Sequence, residues 1–116
     1  MKITEGYMKN VGLDLKYDAM GIYGIYMDEE LVYIGQSKNM LKRICNHIRC
    51  ILNPEKGKEK KYVELRKATN IRFDVLLYVK NEKDLNKAEL DLIHKYQPRL
   101  NTVGIKKNRF EKTKNF

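Results

Sequence analysis

Two runs of β-forming residues, set apart by three polar ones, constrain this chain more than any other feature. Gly21-Ile22-Tyr23-Gly24-Ile25-Tyr26-Met27 leads into Asp28-Glu29-Glu30, and Leu31-Val32-Tyr33-Ile34 follows. β-Branched and aromatic residues suit a pleated backbone, so the pattern predicts an antiparallel hairpin with a tight three-residue connection. Both faces of each strand carry apolar or aromatic side chains, so the hairpin must be covered on both sides. A lone hairpin cannot do that, and the covering elements must come from the rest of the chain.

Those elements are legible as periodic segments. A helix capped by Asn39 presents Leu41, Ile44, Cys45, Ile48 and Leu52 at helical spacing, with Pro54 beyond its end. Residues 53–61 read as a polar, flexible loop, and a short helix through Tyr62, Leu65 and Ala68 follows. Ile71 to Val79 is a third strand, and a last helix runs from Asn81 to about Tyr96, before Pro98. A chain of 116 residues suits one domain. The expectation is an α/β fold with a small three-stranded antiparallel sheet flanked by helices over residues 21–101. Residues 1–20 form a lead-in holding a short strand or turn, and residues 102–116 form a basic tail.

The net charge of +9 favours polyanionic partners, nucleic acid or an acidic membrane surface, but carries weight only where it clusters near chemistry. No apolar run approaches the roughly 18 residues that span a bilayer. Met1 to Glu5 shows no apolar stretch of a secretory signal. The protein is therefore expected inside the cell, in the cytoplasm, with no membrane partner. Cys45 and Cys50 lie five apart in one predicted helix and point in different directions, which disfavours a disulfide. Cys45 reads as a small core residue and Cys50 as a partly exposed thiol.

Three sets of side chains suggest chemistry. On the last helix Leu85, Ala88, Leu92, Ile93 and Tyr96 form the apolar stripe, and Glu89 falls within it. A carboxylate there needs a partner, because an unpaired buried charge costs several kcal/mol. A backbone group or an arginine would satisfy it; so would a hard cation such as Mg²⁺. Arg43 and His47, four apart, are expected to project together from the face opposite the core stripe. They could be solvated surface, or a phosphate site in which the guanidinium fork grips oxygens and the imidazole relays a proton. Tyr23 and Tyr33 share a sheet face if their strands pair around residues 28–30, and a nearby cation would lower the phenol pKa.

The order of these residues brings them together. Gly21-Ile22-Tyr23, nine residues, Tyr33-Ile34-Gly35, Arg43 eight after Gly35, His47, Glu89, and Asn101 in the ending Pro98-Arg99-Leu100-Asn101 resemble the GIY-YIG nuclease superfamily. The interval between the tripeptides is slightly shorter than usual in that family, which a tighter turn would absorb. The resemblance implies an endonuclease that cuts DNA by in-line attack of water with one Mg²⁺ or Mn²⁺. It implies that Glu89 holds the metal, Arg43 offsets phosphate charge, and Tyr23 positions or deprotonates water with help from Tyr33 or His47. Asn101 would tie the end of the domain to the site, and Gly35 would let the backbone turn sharply out of its strand.

Lys38, Lys58, Lys60 and Lys61, with Lys106, Lys107 and Arg109 of the tail, are candidate backbone-tracking residues. The partner is DNA, duplex or branched, with RNA left open; the oligomeric state is left open between monomer and homodimer. The alternatives are a non-cleaving nucleic-acid-binding module of the same fold, and a purely structural or protein-interaction domain.

Overall fold

The computed structural model describes residues 2–3 and 19–102. Strand β1 (Lys2–Ile3) precedes the hairpin β2 (Gly21–Met27) and β3 (Glu30–Ser37). Helices α1 (Met40–Leu52) and α2 (Lys60–Leu65), strand β4 (Asn70–Tyr78), a 3-10 turn (Glu82–Asp84) and helix α3 (Leu85–Tyr96) follow. The sheet order is β1-β4-β2-β3. The expected three antiparallel strands are all present. The two-residue β1 extends the sheet by pairing parallel to β4.

The hairpin turns more tightly than expected. Met27 pairs with Glu30, so the connection is two residues long, and both Asp28 (φ 49°) and Glu29 (φ 73°) are left-handed. Positive φ at both central positions matches the right-handed twist of the flanking strands. Asp28 tolerates it while its carboxylate accepts from the Asn70 N–H at 2.8 Å, tying the turn to β4. Beyond it, Ile25 pairs with Tyr33 and Tyr26 with Leu31, a bulge that takes up one residue of β3.

As the patterning requires, β2 is covered on both faces. One holds the larger core, where Tyr23, Ile25, Ile44, Ile51, Leu65 and Phe73 pack under α1 and α2. The other holds a smaller cluster of Ile22, Ile34, Leu85 and Ile93 under α3. Asn39 caps α1 as expected, its Oδ1 accepting from the Lys42 N–H at 3.0 Å.

Helix α1, however, is rotated about a quarter turn from the expected stripe. Its buried residues are Met40, Ile44, His47 and Ile51, whereas Cys45 and Leu52 are exposed. An imidazole occupies a core position there, and apolar periodicity does not count it. Residues 53–61 are also firmer than a flexible loop. Arg66 donates to the carbonyls of Ile51, Cys50 and Gly57, and Gly57 is buried against Cys50. Lys60 and Lys61 belong to α2. On the last helix Tyr96 is half exposed, outside the stripe assigned to it.

Candidate active site

Tyr23 lies on the α1 side of β2, opposite Gly35 of β3. A Cβ at Gly35 would stand 2.6 Å from Cζ of the Tyr23 ring and closer still to its hydroxyl. Only glycine lets that ring lie across the neighbouring strand. The expectation of a sharp exit turn at Gly35 is thereby corrected, since β3 runs on to Ser37.

The Tyr23 hydroxyl sits 2.6 Å from His47 Nε2, and His47 Nδ1 sits 2.8 Å from the Tyr62 hydroxyl. The Arg43 guanidinium lies close enough to act electrostatically on the Tyr23 hydroxyl as well. His47 is 1% exposed. A neutral imidazole offers one donor and one acceptor, and the two hydroxyls can serve either role. Burial, reinforced by Lys61 and Arg43, pushes the His47 pKa down to about 3, so the ring is uncharged at neutral pH. Arg43 and His47 therefore do not project together from an outer face. His47 is in the core, and only Arg43 is exposed.

Burial likewise raises the Tyr23 pKa well above that of an ordinary phenol, and the neighbouring Tyr33 adds to the rise. Arg43 pulls the other way and does not prevail. The expectation that a cation lowers this phenol is therefore corrected: desolvation outweighs the guanidinium. Tyr62 is raised for the same leading reason.

Tyr33 stands on the same sheet face as Tyr23, as the hairpin pairing requires, with its ring edge-on to His47 at 6.1 Å between centroids. It also reaches out. Tyr33, Lys60, Lys61, Glu89, Arg99 and Asn101 line a cavity of about 430 Å³ at the outer edge of β3. Lys61 Nζ lies 4.9 Å from the Tyr33 ring centre, a cation–π placement.

Glu89 arrives from the opposite face of the sheet on α3, half buried, one turn from both Leu85 and Ile93. Its partner is neither a backbone group nor an arginine but the amide of Gln36, whose Nε2 donates to Oε1 at 2.9 Å. Glu89 and Tyr33 thus share a cavity. Tyr23, His47 and Tyr62 form a bonded cluster behind Tyr33, with Arg43 beside it and lining a separate groove.

Asn101 ties the end of the domain to the hairpin. Its Oδ1 accepts from the Ile34 N–H at 2.8 Å and its Nδ2 donates to the Ile34 carbonyl at 2.9 Å. One residue earlier, the Leu100 N–H donates to the Val32 carbonyl. Gln97 ends α3 in the left-handed conformation (φ 48°) and so turns residues 98–101 back toward β3.

Of the candidate tracking cations, Lys58 and Lys60 are exposed, Lys38 pairs with Glu82 at 2.7 Å, and Lys61 is mostly covered. Lys106, Lys107 and Arg109 lie outside the described residues. Sequence reasoning missed Gln36, Tyr62 and Arg99. Gln36 directly follows the second tripeptide, which was the available signal. Tyr62 read as packing, and its hydroxyl partner became visible only once His47 was placed inside.

The GIY-YIG catalytic domain matches residues 19–102. The UvrABC system protein C of Fervidobacterium nodosum is 31% identical over 83 residues, 72% of this chain and 13% of that protein. The chain therefore spans about an eighth of the length of that curated relative. The N-terminal endonuclease domain of UvrC from Thermotoga maritima, in a crystal structure bound to its catalytic divalent cation, magnesium, superimposes with a TM-score of 0.55. It is 26% identical, and the match covers 85% of this chain and 99% of that one. A tyrosine-to-phenylalanine point mutant of the same domain, also bound to the catalytic divalent cation, gives a TM-score of 0.56 at 25% identity. That match covers 85% of this chain and 98% of the other. With the family matching from just before β2 to just beyond Asn101, the chain belongs to the GIY-YIG family of nuclease domains.

Proposed function

We propose that this domain is a divalent-cation-dependent endonuclease that hydrolyses DNA phosphodiester bonds by in-line attack of water, using one Mg²⁺ or Mn²⁺. The observation that carries this reading is the shared cavity, with the Glu89 carboxylate on one wall and the Tyr33 phenol on another. The residues fit a hard cation. Glu89 is half buried, accepts from a neutral amide, and has no cationic side chain paired to it among the described residues. No group of three or more His, Cys, Asp or Glu side chains among them could hold a metal. Glu89 would hold the ion, with water and phosphate oxygens completing its shell, a mode Mg²⁺ accepts. A cation bound there supplies polarisation of the phosphate and stabilisation of the leaving oxygen.

The chain's own residues do the rest. Tyr33, on the cavity wall, orients the attacking water through its hydroxyl. Arg43, beside Tyr23, offers its guanidinium fork to phosphate oxygens. Tyr23 acts by position: its hydroxyl stays protonated and fixes Arg43 and His47 relative to Tyr33. His47, neutral and bonded at both nitrogens, holds the Tyr23 and Tyr62 hydroxyls in one fixed hydrogen-bonded line.

The test is nicking of supercoiled plasmid. We expect cleavage with Mg²⁺ or Mn²⁺, none in EDTA, and a loss of at least roughly 10²–10³-fold in Glu89→Ala. Cleavage that persists through both changes would remove the metal mechanism. Retention of DNA with no product in any divalent cation would favour the non-cleaving module.

A further inference from the structure

We infer that a groove along the outer face of α1 is a second phosphate-binding track, which holds the nucleic-acid backbone flanking the scissile bond. The inference rests on the nuclease reading for its occupant and on separate residues for its site. The groove, about 340 Å³, is lined by Lys38, Asn39, Lys42, Arg43, Asn46 and Arg49, beside Ser37. No carboxylate lines it. Lys42, Asn46 and Arg49 recur at i, i+4 and i+7 and so form one stripe. Arg49 Nη2 donates to Asn46 Oδ1 at 2.9 Å, which orients the guanidinium along that stripe.

Charge placement here runs against stability. The first turn of a helix carries partial positive charge and favours acidic side chains. The first turn of α1 has none, and Lys38, Lys42 and Arg43 cluster there instead. Some exposed cations elsewhere find carboxylates, as Lys87 does with Asp91, Lys67 with Glu64 and Arg99 with Glu30, and within the groove Lys38 pairs with Glu82. Among the described residues neither Lys42 nor Arg49 has a carboxylate within ion-pair distance. Helix end and unpaired cations together make a concave field that an external anion would neutralise.

The groove reaches the tyrosine–histidine cluster through Arg43, although it shares no lining residue with the cavity beside Glu89. Arg43 lines the groove and, through the same side chain, lies beside the Tyr23 hydroxyl. Lys42 and Arg49 are seven residues apart, about 10.5 Å along the helix axis. Projected on the axis of a duplex, where one strand rises about 3.4 Å per phosphate, that distance covers about three phosphates. A strand seated with its scissile phosphate by Arg43 would continue along this stripe.

The experiment measures affinity for a labelled duplex oligonucleotide in EDTA across a range of salt concentrations. It compares the unaltered protein, Lys42→Ala/Arg49→Ala, the charge-keeping Lys42→Arg/Arg49→Lys, and Glu89→Ala. Loss of two phosphate contacts should flatten the log–log salt slope by about 1.8 and weaken binding roughly 60-fold at 0.1 M salt. The charge-keeping variant and Glu89→Ala should retain the original slope. Nicking by the alanine double variant should be normal at saturating DNA and impaired only below saturation. An unchanged slope in the alanine variant, or equal flattening in the charge-keeping one, would overturn the track. If no variant nicks DNA but the slopes behave as described, the catalytic reading fails and the track stands.

Discussion

His47 shows how a single side chain sets both chemistry and stability. Its ring sits inside the larger core because two tyrosine hydroxyls satisfy its nitrogens, and an uncharged imidazole with both nitrogens bonded is tolerated where a charged one is not. Its folded-state pKa of about 3 lies below the ordinary 6.5. Between those values the unfolded chain binds a proton that the folded chain refuses. Stability from this group is therefore whole above about pH 6.5 and declines toward pH 3, by about 1.4 kcal/mol per pH unit. Chemical denaturation at several pH values should show that slope, and His47→Gln should lose most of it. An equal slope in both proteins would mean that carboxylates alone govern the acid side.

At the scale of elements, much of the fold was readable because the signals were local. The hairpin residues, the Asn39 cap, the β4 run and the α3 stripe around Glu89 each depend on near neighbours. The face of α1 was not readable. Its orientation is decided by Tyr23 and Tyr62, which lie far from His47 in sequence, and a buried histidine looks polar to any periodicity. The role of Gly35 was hidden for the same reason, because it depends on a ring one strand away. Glu89 could be singled out from its helix alone, but Gln36 as its partner could not. The ending at Asn101 was recognisable as a motif, and its physical task is now specific: one amide replaces a strand partner for both backbone groups of Ile34. Asn101→Ala should cost about 1–3 kcal/mol in urea unfolding and lower nicking as the cavity wall loosens. Asn101→Asp, which keeps the acceptor and loses the donor, should fall between the two. Stability equal to that of the unaltered protein would show that water replaces both bonds without loss.

For the whole molecule, the sheet divides the site as well as the core. Tyr23, His47, Arg43 and Tyr62 belong to the side under α1 and α2, whereas Glu89 belongs to α3 and its smaller apolar cluster. Less buried apolar surface means a lower free energy of local opening. Hydrogen exchange should therefore release the α3 amides well before those of β2. Uniform protection across both would indicate that the domain opens only as a unit. The covering of β3 by Leu100 and Asn101 has a consequence of its own. The margin of a sheet ordinarily invites another chain to add its own backbone there, the route by which proteins stick to copies of themselves or take up extended peptides. Here that berth is already filled by the protein's own returning segment, whose residues also wall the cavity. An incoming peptide could displace it only by dismantling one wall of that cavity, so this flank stays unsociable for as long as the cavity is intact.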